Sequence, residues 1–193
     1  MFLENPVYNN EQFGWIEVIC GSMFSGKTEE LIRRIKRAKI ANQNIEVFKP
    51  IIDSRSKNFI ESHDESKLEC IEVKSSNEIL ENVNNCDVVA IDEAQFFDDQ
   101  IVTVCNKIAN SGIRVIIAGL DMDYLGNPFG PMPNLMAVSE YVTKVHAVCK
   151  KSGNNANYSY RKNKKKDIVV IGEKDKYEAL SRSVFYKKMN KNK

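Results

Sequence analysis

The feature that most constrains this chain is the string VICGSMFSGKT at residues 18–28, which lies between a strand pattern and a helix pattern. It fits G-x-x-x-x-G-K-[ST], the pattern of a loop that wraps phosphate groups. Residues 15–20 are apolar-rich and predict a strand, whereas Leu31, Ile35 and Ala38 lie at helical spacing within residues 29–41. Strand, loop and helix in this order are what the motif requires. Its fixed positions are Gly21, Gly26, Lys27 and Thr28.

The rest of the chain continues this alternation of strands and helices. Strands are predicted at residues 45–50, 87–92, 114–119 and 141–149, and helices at residues 75–83 and 98–110. We therefore predict an α/β fold, a P-loop (RecA-like) parallel sheet with flanking helices. Short strand patterns and a helix pattern from Asp175 predict a small C-terminal domain, so the expected division is residues 1–148 and 149–193.

Two long stretches are predicted to be irregular. Residues 51–67 are polar, rich in serine and without periodicity, which indicates a long, mobile loop. Residues 120–135 read LDMDYLGNPFGPMPNL, and their glycines and prolines indicate a shaped loop.

Composition narrows the class of protein and its surroundings. The 193 residues have a formal net charge of +2, 42% hydrophobic and 28% charged residues, as in ordinary globular proteins. Neither an apolar run of membrane length nor a signal peptide is apparent, so we expect a cytoplasmic protein without membrane contact. The five cysteines are scattered and odd in number, which argues against a disulfide framework.

The phosphate loop carries its own chemistry. Glycines let successive backbone N–H groups face an anion, and the following helix directs its positive end to the same place. Lys27 is expected to reach the outer phosphates and to act in catalysis, while the Thr28 hydroxyl is expected to bind Mg²⁺.

A second chemical element is DVVAIDEAQFF at residues 87–97. Asp92 ends an apolar strand at the edge where ligands of open α/β sheets bind, so it is the expected Mg²⁺ partner. Glu93 points to the other side of the chain and is the candidate general base for a hydroxyl that attacks a γ-phosphoryl group. The residues expected at ATP are Gly21, Ser22, Met23, Phe24, Ser25, Gly26, Lys27, Thr28, Asp92, Glu93, Ala94 and Gln95.

Other interpretations of these segments stay open. Asp-Glu can be an ordinary acidic strand end, and Asp-Glu-Ala-X also marks nucleic-acid-stimulated ATPases, although those motors use two similar domains and this chain has room for one. Residues 161–193 carry twelve Lys and Arg against four acids, which could contact nucleic acid, but a solvated basic tail is the favoured interpretation and nucleic acid is an unlikely partner. No chemistry is assigned to His63 or His146.

Seven short motifs occur in order between about residues 15 and 185. They are MFSGKT at 23–28, KP with Asp53 and Arg55, SHD at 62–64, DEAQFF at 92–97, LDMDY at 120–124, PFGP at 128–131 and GEKDKY at 172–177. In combination they make the chain resemble the type II thymidine kinases, the cellular and poxvirus group.

The resemblance implies a kinase that uses ATP and Mg²⁺ to phosphorylate the 5′-hydroxyl of thymidine. It further implies a homotetramer in which a C-terminal lasso domain closes over the nucleoside. Glu93 matches the family's catalytic base. The positions that match nucleoside contacts are Met23, Asp53, Arg55, Phe96, Leu120, Tyr124, Phe129, Ser159, Ile168, Val169, Val170, Ile171, Gly172 and Tyr177. Core packing is the competing explanation for Phe97 and Phe129.

The chain departs from the family pattern at its metal site. The family usually fixes the lasso with zinc, and the matching positions here are Cys149, Ser152, Ser181 and Val184. One thiolate cannot supply the four ligands of a structural zinc site, so zinc is predicted to be absent. The loss also makes a poorly active paralogue that binds nucleoside an alternative. Milder departures are Ser22 in place of Pro and Glu173 in place of Gly.

Overall fold

The computed structural model describes residues 7–8, 11–53, 57–61, 67–162 and 176–191. Its centre is a sheet of six strands. These are β1 (Ile16–Gly21), β2 (Ile45–Pro50), β3 (Ile71–Val73), β4 (Val88–Ile91), β5 (Arg114–Leu120) and β6 (Tyr141–Val145). Their order across the sheet is β6-β1-β5-β4-β2-β3, and each neighbouring pair is parallel.

The strand order decides which loops can meet. β5 lies between β1 and β4, with Gly21 opposite Leu120 and Ile91 opposite Ile117. All strands run the same way, so the segments that follow β1, β5 and β4 leave the sheet at one edge. The phosphate loop after β1 and the Asp-Glu pair after β4 are therefore separated by a single strand.

Helices cover both faces of this sheet. They are α1 (Lys27–Ile40), α2 (Ser76–Asn82), α3 (Ile101–Asn110) and α4 (Met132–Val138), whereas α5 (Arg182–Lys191) packs in the C-terminal part of the chain. The side chains of α1 that pack with Ile19, Val47 and Ile116 form one core cluster. The other face packs against α2, α3 and α4. The central strands are apolar throughout because both of their faces are buried, as in β4, where all four residues are buried. The α/β prediction with a parallel sheet and flanking helices is confirmed.

A third cluster lies in the C-terminal segment, which we define as residues 147–162 and 176–191. It contains β7 (Ala147–Val148), β8 (Asn155–Ala156), β9 (Tyr158–Arg161), β10 (Tyr177–Leu180) and α5. Strands β9 and β10 pair antiparallel, and the Tyr158 ring stacks on Phe185 of α5 with ring centroids 4.5 Å apart.

Several element predictions were incomplete or wrong. The stretch 51–67 was predicted to be a loop, yet Phe59–Glu61 and Lys67–Glu69 pair as antiparallel strands. Likewise α4 begins after Pro131 within the stretch expected to be a shaped loop, because proline suits a helix start. The helix predicted from Asp175 is instead strand β10 followed by α5. A further pair of short strands, Val7–Tyr8 and Glu11–Gln12, precedes β1.

A buried ion network joins the sheet to α1. The Glu17 carboxylate is 1% exposed; it accepts hydrogen bonds from Arg34 Nη1 at 2.6 Å, Arg114 Nε at 2.7 Å and Trp15 Nε1 at 2.7 Å. Burial alone would raise the pKa of Glu17, but the hydrogen bonds and charges of Arg114, Trp15 and Arg34 outweigh it and lower that pKa below 4.5.

Glu17→Gln is expected to lower the free energy of unfolding at pH 7 by about 3 kcal/mol, because it removes the buried carboxylate charge shared by Arg34, which is buried, and Arg114, which is half-buried. The folded pKa of Glu17 lies below its unfolded value, so its contribution is present above pH 4.5 and is lost as pH falls through the folded pKa. Urea unfolding from pH 7 downward should show the difference from wild type shrinking below pH 4.5. Glu61→Gln, which breaks the exposed pair with Lys67, is the control and should cost under about 1 kcal/mol.

The helices were also compared with the length and apolarity that a membrane span demands. None in the described part of the chain meets both criteria.

Candidate active site

The loop between β1 and α1 has the backbone of an anion cradle. Gly26 immediately precedes α1 as its N-cap and has φ 85°, a left-handed conformation that suits glycine. Gly21 has φ 151°, and a Cβ there would lie 2.2 Å from the carbonyl oxygen of Val145 on β6. The two glycines thus allow the tight exit from the sheet and the turn into the helix. Both predicted flanking elements are present, and α1 begins two residues earlier than expected.

Lys27 and Thr28 start the first turn of α1 and face the same edge of the sheet. Lys27 is 8% exposed, and its Nζ donates to the Ser22 carbonyl oxygen at 2.9 Å across the loop. The Thr28 hydroxyl donates to Asp92 Oδ2 at 3.3 Å. The structure therefore brings together the phosphate loop and the end of β4, which are 64 residues apart in the chain.

Asp92 and Glu93 follow β4 and have different surroundings. The Asp92 backbone N–H donates to the Phe48 carbonyl oxygen at 2.9 Å, and Asp92 Oδ1 accepts the Glu93 N–H at 2.9 Å. Glu93 adopts a left-handed conformation with φ 52°, which turns the chain sharply out of the sheet. Its carboxylate is 9% exposed and accepts a hydrogen bond from Gln95 Nε2 at 2.5 Å. Ala94 and Gln95 are buried in the short 3₁₀ helix Ala94–Phe96.

Aromatic side chains lie beside this acidic pair. The Phe96 ring meets the Phe129 ring edge to face, with centroids 5.8 Å apart. The Phe129 backbone N–H donates to the Asp121 carbonyl oxygen at 3.1 Å, which holds the loop 121–131 against the end of β5. Leu120 ends β5 and is half-buried. Two of the predicted nucleoside contacts, Phe96 and Phe129, are thus in contact, whereas Phe97 is buried in the core.

The C-terminal segment is hydrogen-bonded to the phosphate loop. The Ser159 hydroxyl accepts the Met23 backbone N–H at 2.9 Å, and the Ser22 hydroxyl donates to the Ala156 carbonyl oxygen at 3.0 Å. Phe24 also packs against the C-terminal core cluster. The predicted phosphate-binding loop is therefore hydrogen-bonded to the segment that the resemblance assigns to nucleoside binding.

Tyr124 and Tyr177 both lie next to Arg161. The Arg161 guanidinium lies 3.5 Å from the centroid of the Tyr124 ring, a cation–π contact. Arg161 is also opposite Tyr177 in the pairing of β9 with β10. Arg161 is 5% exposed, although sequence reasoning assigned it no role. The sequence indicated only that residues 161–193 are basic, and nothing local indicates a buried arginine.

Asp53 lies beyond β2, at the far side of this edge. It is buried, and its carbonyl oxygen accepts a hydrogen bond from Lys49 Nζ at 3.3 Å. The predicted contacts Arg55 and residues 168–172 (Ile168, Val169, Val170, Ile171 and Gly172) lie outside the described residues, as do His63 and Glu173. His146 is described, and its Nδ1 lies 2.6 Å from Asn157 Oδ1.

Sequence reasoning missed Asp121, a buried carboxylate that follows β5. Lys144 Nζ of β6 lies 2.7 Å from Asp121 Oδ2. Burial opposes the charge on Lys144, but the Asp121 carboxylate outweighs it and raises the pKa of Lys144. The rule that selected Asp92, an acid at the end of a buried strand, could have selected Asp121 as well.

The four positions that match the family's zinc ligands contain one thiol and two hydroxyls in contact. Ser152 Oγ and Ser181 Oγ lie 2.9 Å apart, and the Cys149 carbonyl oxygen accepts the Ser152 and Gly153 N–H groups. Burial raises the pKa of Cys149, but hydrogen bonds from the Ser152 and Ser181 side chains and from backbone groups outweigh it and lower that pKa to about 6. Two serines and a valine do not fit a four-ligand zinc site.

Zinc analysis of the purified protein is expected to find far less than one zinc per chain. Dialysis against a chelator is expected to leave the thermal unfolding midpoint unchanged, because no metal bond would be lost. Stoichiometric zinc together with a fall in the midpoint on chelation would contradict this prediction.

The sequence is similar to that of a known protein family along most of its length. A family model described as thymidine kinase matches residues 14–185. A thymidine kinase of Bacteroides thetaiotaomicron is 54% identical over 186 residues, which cover 96% of this chain and 94% of the relative. Thymidine kinases of Rhodothermus sp. (56% identical; 89% and 81% covered) and Porphyromonas gingivalis (50%; 96% and 91%) are also similar. The resemblance drawn from seven motifs is confirmed: the chain belongs to the thymidine kinase family, whose members are transferases.

Proposed function

We propose that this protein transfers the γ-phosphoryl group of ATP to the 5′-hydroxyl of thymidine, the step that salvages the nucleoside as its monophosphate. The observation that carries the proposal is the meeting of Lys27, Thr28, Asp92 and Glu93 at one edge of the sheet, with the Thr28 hydroxyl 3.3 Å from Asp92. Membership of the thymidine kinase family supports the choice of thymidine and ATP as substrates.

The phosphate loop supplies binding and charge neutralisation for ATP. Backbone N–H groups between Gly21 and Thr28 and the start of α1 favour the phosphates, and Lys27 stabilises the negative charge that develops on the transferred group. The Thr28 hydroxyl and the Asp92 carboxylate are hard oxygen ligands that fit Mg²⁺. A magnesium ion held there would neutralise charge on the β- and γ-phosphates.

Glu93 acts as general base in this proposal. The 5′-oxygen of thymidine forms a bond to the γ-phosphorus, the bond from that phosphorus to the β–γ bridging oxygen breaks, and ADP leaves. The proton of the 5′-hydroxyl passes to the Glu93 carboxylate. The left-handed turn at Glu93 supports this role, because such strain occurs where a side chain must be aimed.

The nucleoside needs a flat apolar surface and a few orienting polar groups. We place the base near the aromatic pair Phe96–Phe129, with Leu120 and Met23 beside it. Arg161 lies against Tyr124 and opposite Tyr177. Ser159 is hydrogen-bonded to Met23 of the phosphate loop. Asp53, Arg55 and residues 168–172 are proposed contacts on the strength of the family resemblance.

The wider organisation is part of the same proposal. We expect residues 1–148 to bind ATP and residues 149–193 to act as the lasso domain. We further expect a homotetramer that works in the cytoplasm. The C-terminal core cluster supports a separate packing unit, because its buried members come from residues 147–185 alone.

This function can be separated from its rivals by measuring ADP formation from ATP in three parallel reactions. One contains thymidine, one contains single-stranded DNA, and one contains neither. ADP formation should require thymidine and should be unaffected by single-stranded DNA. Stimulation by DNA alone would favour a nucleic-acid-dependent ATPase, for which the basic C-terminus is the supporting feature. Tight thymidine binding without ADP formation would favour a poorly active paralogue.

A further inference from the structure

A buried glutamine connects the proposed base to the next strand of the sheet. Gln95 is 3% exposed; its Nε2 donates to Glu93 Oε2 at 2.5 Å, and its Oε1 accepts the Leu120 backbone N–H at 2.8 Å. The orientation of the amide follows from these partners. A backbone N–H can be satisfied only by the amide oxygen, so the amide nitrogen must face the Glu93 carboxylate.

The backbone around Gln95 leaves space for this side chain and little else. A Cβ on Gly119 would lie 3.0 Å from Gln95 Oε1 and 2.5 Å from the Met132 sulfur. A Cβ on Gly130, which has φ 50°, would lie 2.5 Å from the Gln95 carbonyl oxygen. Two glycines on separate segments thus allow close approach, of β5 to the side-chain amide of Gln95 and of the loop 121–131 to its backbone carbonyl.

The hydrogen bond from Gln95 fixes the orientation of the Glu93 side chain. The left-handed backbone of Glu93 lies at the end of a strand, and a glutamate side chain has several rotatable bonds that must be fixed before it can accept a proton in one direction. The Asp92 carboxylate fixes the Glu93 backbone N–H, and the Gln95 amide fixes one carboxylate oxygen.

We propose that Gln95 is a positioning residue that holds the Glu93 carboxylate in the orientation in which it accepts the proton of the nucleoside hydroxyl. The inference rests on the proposed function, because it gives Glu93 a hydroxyl to deprotonate. It differs from the initial expectation for Gln95, which was contact with ATP. Gln95 also joins Glu93 to Leu120, so the base and one wall of the nucleoside site share a hydrogen-bonded support.

The test is steady-state kinetics of Gln95→Met, which keeps the side-chain volume and removes both hydrogen bonds without adding charge. We expect kcat for thymidine phosphorylation to fall about 10- to 100-fold, as for a misdirected catalytic group, with the KM for ATP changed less than about threefold. Gln95→Glu keeps an acceptor for the Leu120 N–H but places a second buried carboxyl group beside Glu93, so it should lower kcat at least as far as Gln95→Met.

Ser76→Ala is the matched control, because Ser76 is fully buried and its hydroxyl donates to Asp98 Oδ1 at 2.6 Å between α2 and α3. It should lower the thermal unfolding midpoint and leave kcat unchanged. The inference is overturned if Gln95→Met retains kcat within threefold, or if its kcat falls no more than that of Ser76→Ala at equal loss of stability. A wild-type protein without thymidine-dependent turnover would instead overturn the proposed function, and the role of Gln95 with it.

Discussion

Glu93→Gln is expected to lower kcat for thymidine phosphorylation by about 100- to 10,000-fold, the usual contribution of a positioned general base. The side chain keeps its size, and its amide oxygen can still accept the hydrogen bond from Gln95 Nε2. Folding and substrate binding should therefore persist while the proton acceptor is lost. Initial rates over a range of thymidine and ATP concentrations separate kcat from both KM values.

Glu81→Gln is the control for this substitution, because Glu81 is an exposed glutamate on α2. It should leave kcat unchanged. Glu93→Gln with kcat within threefold of wild type, at unchanged stability, would remove Glu93 from the mechanism. A large rise in the KM for thymidine at constant kcat would assign Glu93 to substrate binding instead.

Lys27→Met is expected to lower kcat/KM for ATP by about 1,000-fold, because a preorganised cation at the transferred phosphoryl group is lost. The Lys27 ammonium also bonds the Ser22 carbonyl oxygen across the phosphate loop, so the variant loses loop shape along with charge. Steady-state rates at saturating thymidine measure the effect, and equilibrium binding of ATP separates weaker binding from slower chemistry.

Lys36→Met serves as the control, since Lys36 is exposed on the same helix. The net charge of the protein changes equally in the two variants, so only the position of the charge differs. Equal losses of kcat/KM in both variants would show that Lys27 acts through the overall charge, which contradicts the assigned role.

The sheet and the phosphate loop could be predicted because their signals are local. Strand β4 is an apolar run bounded by acids, and the loop before α1 has a fixed pattern of glycine, lysine and threonine. Thr28 was predicted as a Mg²⁺ ligand from the loop pattern, and Asp92 was predicted from its place at the end of an apolar strand. Their 3.3 Å separation follows from a strand order that puts one strand between them.

Other features could not be predicted because they depend on contacts between distant segments. Arg161 is buried over Tyr124 only because β9 packs beside the loop 121–131. The role of Gln95 depends on Leu120, which follows 25 residues later in the chain. The antiparallel pair Phe59–Glu61 and Lys67–Glu69 has only three residues on each strand, too few for a periodic pattern.

The most direct test of the account is to follow the γ-phosphoryl group itself. ATP labelled at the γ-phosphate is incubated with the protein, Mg²⁺ and thymidine, and the labelled products are identified. The account predicts that the label appears on the 5′-oxygen of thymidine, with one ADP per thymidine 5′-monophosphate, and that Glu93→Gln slows this labelling by about 100- to 10,000-fold. Label recovered only as inorganic phosphate, or unchanged in ATP, would contradict the account.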